Sequence, residues 1–442
     1  VQVTYFKRLG LAFAVLLAAS VYAPSPAYAE KIFNVKTYGA VGDGTTDDTK
    51  ALIAAAAAAN AVPGSTLLFP TGNYLLGGVL TVKGIDVAGE RATLTVISAG
   101  VLKISGNNTK VHNFQFASQS PSHAVGLSVD QANGFEVRNN LFDSFNQAMS
   151  VLQSSNGKIE GNEFLSNAGS TELYLSGSSN ITAHDNTFRG INGTAVYIGT
   201  SNNVTLDDNF FGAVDFSIMS SQNSFVNYTN NQFFAGLKDT INLNGDKRVA
   251  INGNKFANSK HVNIKASNVT FMDLDSNVSR TPESFILLVG SKIVNIRDNT
   301  VEDAADDAII GSGVTQIEIS DNKVAGAGRG IHIHTNSDTI KIAGNRIADL
   351  KYDGIVLTTC TGTNVISKNT ISNCGQSNKD NRLKIAVIFA NTPQADVITI
   401  EGNTYSGATA GVNYFIWCVQ GEPPADISGN RTSTSLPNRI GS

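Results

Sequence analysis

The chain has 442 residues, of which 41 are glycine and 10 proline; 15% are charged and the formal net charge is −4. A balance without a basic surplus excludes nucleic acid as a partner class. The length exceeds what one globular core usually serves, whereas a solenoid grows along its axis without that limit.

Residues 1–29 have the pattern of a secretory signal. Lys7 and Arg8 form its basic start, Leu9–Val21 its apolar run, and Ala27-Tyr28-Ala29 a small-x-small site for cleavage after Ala29. The run is too short to span a bilayer comfortably, and no later apolar run is long enough. The expected location is therefore secreted or periplasmic, with no membrane span. Loss of Lys7 and Arg8 takes the formal charge from −4 to −6.

Residues 30–89 read as an N-terminal cap with the first coils. A strand and turn over 30–42 lead into a helix within Gly42–Ala61. Thr46 or Asp47 suits its N-terminus, Asp47 and Asp48 suit its positive end, and Pro63-Gly64 stops it. Leu52, Ile53 and a run of alanines give it a small-residue face. Strands Thr66–Phe69 and Asn73–Leu76 follow. A solenoid exposes an apolar cross-section at its end, and this helix is placed to cover it.

Residues 90–430 repeat one phrase, apolar–x–apolar–x–(Gly/Asp/Asn)–Asn–x–(Phe/Val/Ile). Its asparagines are Asn140, Asn162, Asn186, Asn209, Asn231, Asn254, Asn277, Asn299, Asn322, Asn345 and Asn369, spaced 22 to 24 residues apart. Less regular copies fall at Asn113, Asn403 and Asn430. A fixed period of this length means stacked units. Alternation of apolar and polar residues, as in Val314–Val324, argues strand, and Asp-Asn or Gly-Asn suits a left-handed turn. A second strand recurs at Ala195–Ile198, Thr240–Leu243, Gly330–Ile333 and Gly354–Leu357. Three short strands per period, without a leucine skeleton, predict an all-β, right-handed, single-stranded parallel β-helix. The recurring asparagines are read as an internal amide ladder, which satisfies groups that are costly to bury bare. A polar insert at 377–382 lengthens the interval between Asn369 and Asn403 and is expected to wall a groove. Residues 431–442 read as a tail. Of the three cysteines, Cys360 and Cys374 could pair across one coil or stay free, and the odd count leaves at least one free thiol.

Side chains alternate along a strand, so residues flanking the inward ones point out. Counting back two positions from the first apolar residue of each coil gives the row Asp239, Lys260, Glu283, Asp306, Arg329 and Asp353. The middle position gives Tyr174, Tyr197, Asn242, Asn263, Ile286, Ile309, His332 and Val356. Rungs lie roughly 4.8 Å apart. Adjacent carboxylates such as Glu283 and Asp306 then approach the spacing of a retaining glycosidase, and Asp306 and Asp353 that of an inverting one. Asp306 and Asp307 in tandem repel, which raises one pKa toward that of an acid catalyst. His332, beside Arg329 and Asp353, suits a general base or acid. Arg329, Lys260, Asp239, Arg382 and Lys384 are candidates to bind substrate, the cations to hold a uronate carboxylate. Tyr174 and Tyr197 offer flat faces for sugar rings. His332 and His334 alone make an incomplete metal site. Glu302, Asp303, Asp306 and Asp307 are the oxygen donors available to a Ca²⁺ ion.

One stretch carries a family resemblance. Asn34-Val35-Lys36-x-Tyr38-Gly39-Ala40-Val41-Gly42-Asp43-Gly44-x-x-Asp47-Asp48-Thr49, with LLFPTGNYLLGG after it, resembles the N-terminal block of the pectate-lyase-like superfamily. That resemblance implies a right-handed β-helix, and includes polysaccharide hydrolases, lyases and phage tailspikes. Compared with the polygalacturonases, Asp306-Asp307 matches their paired aspartate. Gly328-Arg329-Gly330 stands where they have Gly-His-Gly, Arg382-Leu383-Lys384 resembles their Arg-Ile-Lys, and Pro282-Glu283-Ser284 replaces their Asn-Thr-Asp. The resemblance implies an enzyme that cleaves or modifies an acidic, uronate-containing polysaccharide by hydrolysis, β-elimination or epimerisation, with no required cofactor beyond a possible Ca²⁺. The competing reading is a non-catalytic adhesin or carbohydrate-binding scaffold. Monomer and trimer both fit.

Overall fold

The computed structural model describes residues 31–119, 125–165, 171–377, 386–392, 395–407, 411–420 and 426–440. The signal-like segment 1–29, most of the 377–382 insert, and Arg382 and Lys384 lie outside them. Among the described residues the chain is a parallel β-solenoid of about 15 turns.

Each turn adds one strand to each of three stacks, and every strand pairs in parallel with its counterpart one repeat on. In one representative turn these strands are Ile309–Ser312, Thr315–Ser320 and Lys323–Ala325, followed by Ile331–His334 of the next. We call them the first, second and third stacks. Register is strict: Ile309 pairs with Ile331 and Ile331 with Ile355, while Val301 pairs with Val324 and Val324 with Ile347. Stacking like on like leaves each apolar face against the one above, which no single repeat achieves alone. The tail continues the pattern. Arg431–Thr432 pairs with Thr404–Ser406, and Arg439–Ile440 with Tyr414–Gln420.

The asparagine ladder runs between the second and third stacks. Oδ1 of Asn254 accepts from the Asn231 backbone N–H at 2.9 Å and from its Nδ2 at 3.1 Å, while Asn254 Nδ2 donates to Tyr228 O at 2.7 Å. The arrangement repeats from Asn140 to Asn430. Asn113 is not a rung. It is exposed with φ 65°, and the Phe114 N–H takes the foot of the ladder by donating to Asn140 Oδ1. Phe142, Phe164, Phe188, Phe211, Phe233 and Phe256, each two residues after a ladder asparagine, stack inside the coil at 4.7–5.1 Å in a column that begins with Phe116. A second internal ladder, of Ser154, Ser178 and Ser201 continued by Asn223 and Asp246, joins the first and second stacks.

At the entrance to the first stack two successive residues point inward, as at Phe285-Ile286 and Ala308-Ile309, all fully buried. The chain bends there, and the earlier residue fills the corner. This corrects the expected outward row. Ile286 and Ile309 face the core, and Asn263 is buried at the corner. The outward positions on those coils are Lys265, Leu287 and Ile310, in register with Asn242 below and His332 above.

One helix, Thr49–Asn60, buries Leu52, Ala55, Ala56 and Ala59 against the first strands. Asp47 accepts from the Thr49 N–H at 3.0 Å at its start. Asp48 instead turns to the preceding loop, accepting from Val41 N at 2.6 Å and Gly42 N at 3.2 Å. The three cysteines are buried and free. Cys360 continues the serine ladder and Cys374 follows a third-stack strand, so they occupy different corners of the coil and the pairing does not form.

Candidate functional site

Where the third stack turns into the first, three consecutive coils bring Asp307, Arg329 and Asp353 into one column, two positions ahead of Ile309, Ile331 and Ile355. Asp307 is the buried member, with its side chain 6% exposed. Its Oδ1 accepts from the Arg329 backbone N–H at 2.8 Å. Its Oδ2 takes Arg329 Nη1 at 3.1 Å and His332 Nδ1 at 3.0 Å. Arg329 Nε lies 3.6 Å from Asp353 Oδ2, and its guanidinium sits 5.6 Å over the Tyr352 ring. Asp353 Oδ1 accepts from the Ala386 N–H at 2.8 Å, just beyond the undescribed segment 378–385. Gly328 permits this closeness, since a Cβ there would meet Asp307 Oδ1 at 3.0 Å.

The two aspartates are driven in opposite directions. Burial pushes Asp307 up, but the His332 hydrogen bond and the Arg329 charge and hydrogen bonds outweigh it, so its carboxyl is held below the usual range. For Asp353 burial prevails over the Ala386 N–H and Arg329, and its carboxyl is raised. The His334 ring lies 4.9 Å from that of His332, and burial together with His332 lowers its pKa. With Nδ1 turned to Asp307, His332 leaves Nε2 for an incoming group.

The other expected site residues divide. Asp306 is exposed beside this cluster and outside it. Glu283, also exposed, faces His261 at 3.3 Å. Lys260 is exposed one turn lower, and Asp239 pairs with Lys265 at 3.4 Å. Ala308 and Phe285 are corner residues rather than first strand residues, and counting back from them points to Asp306 and Glu283 instead of Asp307 and Ser284. Tyr174 and Tyr197 stack at 5.1 Å and 5° on the outward row of the first stack, several rungs below His332. Val356 follows His332 in register as expected, and sequence reasoning missed the end of that row beyond it, where Phe389 and Trp417 follow. The repeated apolar–x–apolar triplets Ile388-Phe389-Ala390 and Ile416-Trp417-Cys418 were the available signal.

The class these features define is a parallel β-solenoid carrying a charged cluster and an aromatic strip on one stack. A family model for the right-handed β-helix region matches residues 77–233 and 125–279, and a model described as the periplasmic copper-binding protein NosD matches 234–415. These matches are consistent with a right-handed β-helix of the pectate-lyase-like superfamily. Mannuronan C5-epimerase AlgE3 of Azotobacter vinelandii is 42% identical over 73 residues, 15% of this chain and 4% of the epimerase. Alginate lyase 7 of the same organism is 34% identical over 99 residues, 19% of this chain and 11% of the lyase. The chain therefore spans only a small part of either relative. The solved structure of bacteriophage phi29 gene product 12 shares the fold, with a TM-score of 0.55 at 13% identity over 90% of this chain and 72% of that one.

His332 and His334 both have Nδ1 engaged, by Asp307 and Thr335, and all three cysteines are buried. Among the described residues no three His, Cys, Asp or Glu side chains converge as metal ligands, so Glu302, Asp303, Asp306 and Asp307 do not form the oxygen cage considered for Ca²⁺. No helix among them is long and apolar enough to cross a membrane.

Proposed function

We propose that the chain is a polysaccharide-modifying enzyme that removes the C5 proton of a uronate residue, leading to epimerisation or β-elimination. The observation that carries this reading is His332, held by the buried Asp307 carboxylate with Arg329 on the same oxygen. Removing a proton alpha to a carboxylate needs an oriented base and a cation near the charge that develops. His332 Nε2 is the base, with Asp307 fixing its tautomer. Arg329 faces the substrate carboxylate while staying tethered to Asp307. Asp353, its carboxyl raised by burial, returns a proton. The aromatic strip of Tyr174, Tyr197, Phe389 and Trp417 lies along the same stack and receives sugar rings above and below the cluster. Hydrolysis fits less well. It requires two free carboxyl groups across the bond, and Asp307 is committed to Arg329 and His332.

The partial matches to an alginate epimerase and an alginate lyase support this substrate class. The test is incubation with polymannuronate and polygalacturonate in D₂O. Deuterium incorporation at C5 or a new unsaturated uronate chromophore is expected, without reducing ends from hydrolysis. His332→Gln should lower turnover at least about 100-fold while polymer binding persists. Reducing ends alone, or unchanged turnover in His332→Gln, rejects the mechanism; binding without turnover of any acidic glycan favours a scaffold or adhesin.

A further inference from the structure

A second feature lies on a different wall of the coil, where the first stack turns into the second. One position of this turn adopts left-handed backbone on coil after coil. In the lower coils it is Asn156, Asn180 and Asn203, with φ of 53°, 54° and 53°. Asparagine tolerates this conformation, and these side chains form an amide chain, Asn180 Nδ2 to Asn156 Oδ1 at 3.0 Å and Asn203 Nδ2 to Asn180 Oδ1 at 2.9 Å. The next three coils place Phe225, Arg248 and Phe271 there instead, at φ 55°, 54° and 59°. Bulky side chains are disfavoured in this region, yet the turn imposes it on later coils too, at Ile293, Gln316 and Thr339, so what sets these three coils apart is the side chains they present.

The strained residues are not used for burial. Phe225 and Phe271 are 45% and 47% exposed. The Arg248 guanidinium sits between them, 4.8 Å from the Phe225 ring and 5.8 Å from that of Phe271, and no carboxylate pairs with it among the described residues. The exposed Lys247 and Lys292, one residue before this position on their coils, also lack an ion pair there. The three side chains border a depression of about 410 Å³ that Asn203, Asn227 and Asp273 complete. Asp273 is the one carboxylate lining it, and it accepts from Asn295 Nδ2 at 2.7 Å.

We propose that Phe225, Arg248 and Phe271 form a second glycan-binding site that takes a carboxylate-bearing oligosaccharide. Sugar C–H faces rest on the two rings, the carboxylate meets Arg248 with Lys247 and Lys292 reinforcing the field, and the Asn203 and Asn227 amides take hydroxyls. The site stands on its own residues; only the choice of an acidic sugar leans on the substrate class proposed above. It holds a polymer to a flank of the coil away from the His332 cluster.

The test uses retention of the full chain in gels containing polymannuronate or polygalacturonate, with neutral cellulose derivatives as controls, beside thermal melts and turnover of short uronate oligomers. Phe225→Asn/Phe271→Asn restores the residue the turn prefers, so it is expected to fold with a melting temperature equal to or above that of the wild type. It should lose at least about tenfold in polymer retention, as should Arg248→Gln, with unchanged turnover of short oligomers. Retention in the neutral gels should be weak throughout. His332→Gln should keep retention while losing turnover. If turnover is absent in every protein but retention depends on Arg248, the catalytic reading fails and this site stands. Unchanged retention in both platform variants, no retention of the wild type, or a melting temperature that falls with retention intact overturns the proposal and makes the stack a packing feature.

Discussion

Asp307 and Asp353 sit in one column, yet their surroundings give them opposite pH behaviour, and this is measurable apart from any activity. Asp307 is held below the ordinary range, so the stability it adds is complete above its unfolded value near 3.9 and is lost as pH falls through its folded value. Asp353 is raised, so ionising it as pH rises through its folded value removes stability. Asp307→Asn should therefore lower the melting temperature most at neutral pH, with the difference shrinking toward pH 3. Asp353→Asn should show the reverse slope, becoming more favourable relative to wild type as pH rises from the unfolded value near 3.9 through the raised folded value. Thermal melts followed by circular dichroism across that range decide it. Parallel slopes for the two variants would mean that burial dominates both sites and that Arg329 and His332 do not hold Asp307 ionised.

Among the elements, the phenylalanine column shows how a local substitution is compensated across the coil. The column ends at Phe256, and Ser279 takes the next place, fully buried. Its Oγ accepts from Asn263 Nδ2 at 2.6 Å, while Phe285 meets Phe256 edge-on at 6.3 Å from the neighbouring corner. Asn263 Oδ1 has no hydrogen-bond partner among the described residues. Ser279→Val alone should cost about 1–3 kcal/mol by stranding the Asn263 amide, whereas Ser279→Val/Asn263→Leu should return to wild-type stability or above it in urea denaturation. Additive losses would show that the two side chains are not coupled. The same corner explains what the sequence could and could not yield. The period, the strands and the asparagine ladder were legible because each repeat states them again. Register on the first stack was not legible where apolar residues run together, as in Phe285-Ile286-Leu287-Leu288 and Ala308-Ile309-Ile310. Alternation is silent there, and a one-residue slip exchanges core for surface. Asp307 looked like half of an exposed pair because its burial depends on Arg329 and His332, which arrive from the next coil.

For the molecule as a whole, stability is a sum over neighbouring turns rather than the property of one centre. The rungs from Asn162 to Asn345 are fully enclosed, but at the upper end Asn403 hands over to Asn430, which is only partly buried. Opening should therefore begin at the last coils and move inward, because a terminal turn gives up one interface and an internal turn two. Hydrogen exchange is expected to be slowest at the backbone amides of Asn209, Asn231 and Asn254, and fastest at those of the coils after residue 395. Asn231→Ala removes acceptor and donor from the middle of the ladder, leaving the Asn209 backbone N–H and Leu206 O without their ladder partners, while Asn209 Nδ2 keeps Ala183 O and Asp207 O. Each buried group so stranded costs on the order of 1–3 kcal/mol, so exchange should quicken about tenfold to a hundredfold on the coils flanking it. Asn403→Ala should affect only the end that already opens first. Equal acceleration throughout the chain in both variants would mean that the solenoid opens as a single cooperative unit, and the nearest-neighbour account would then be wrong.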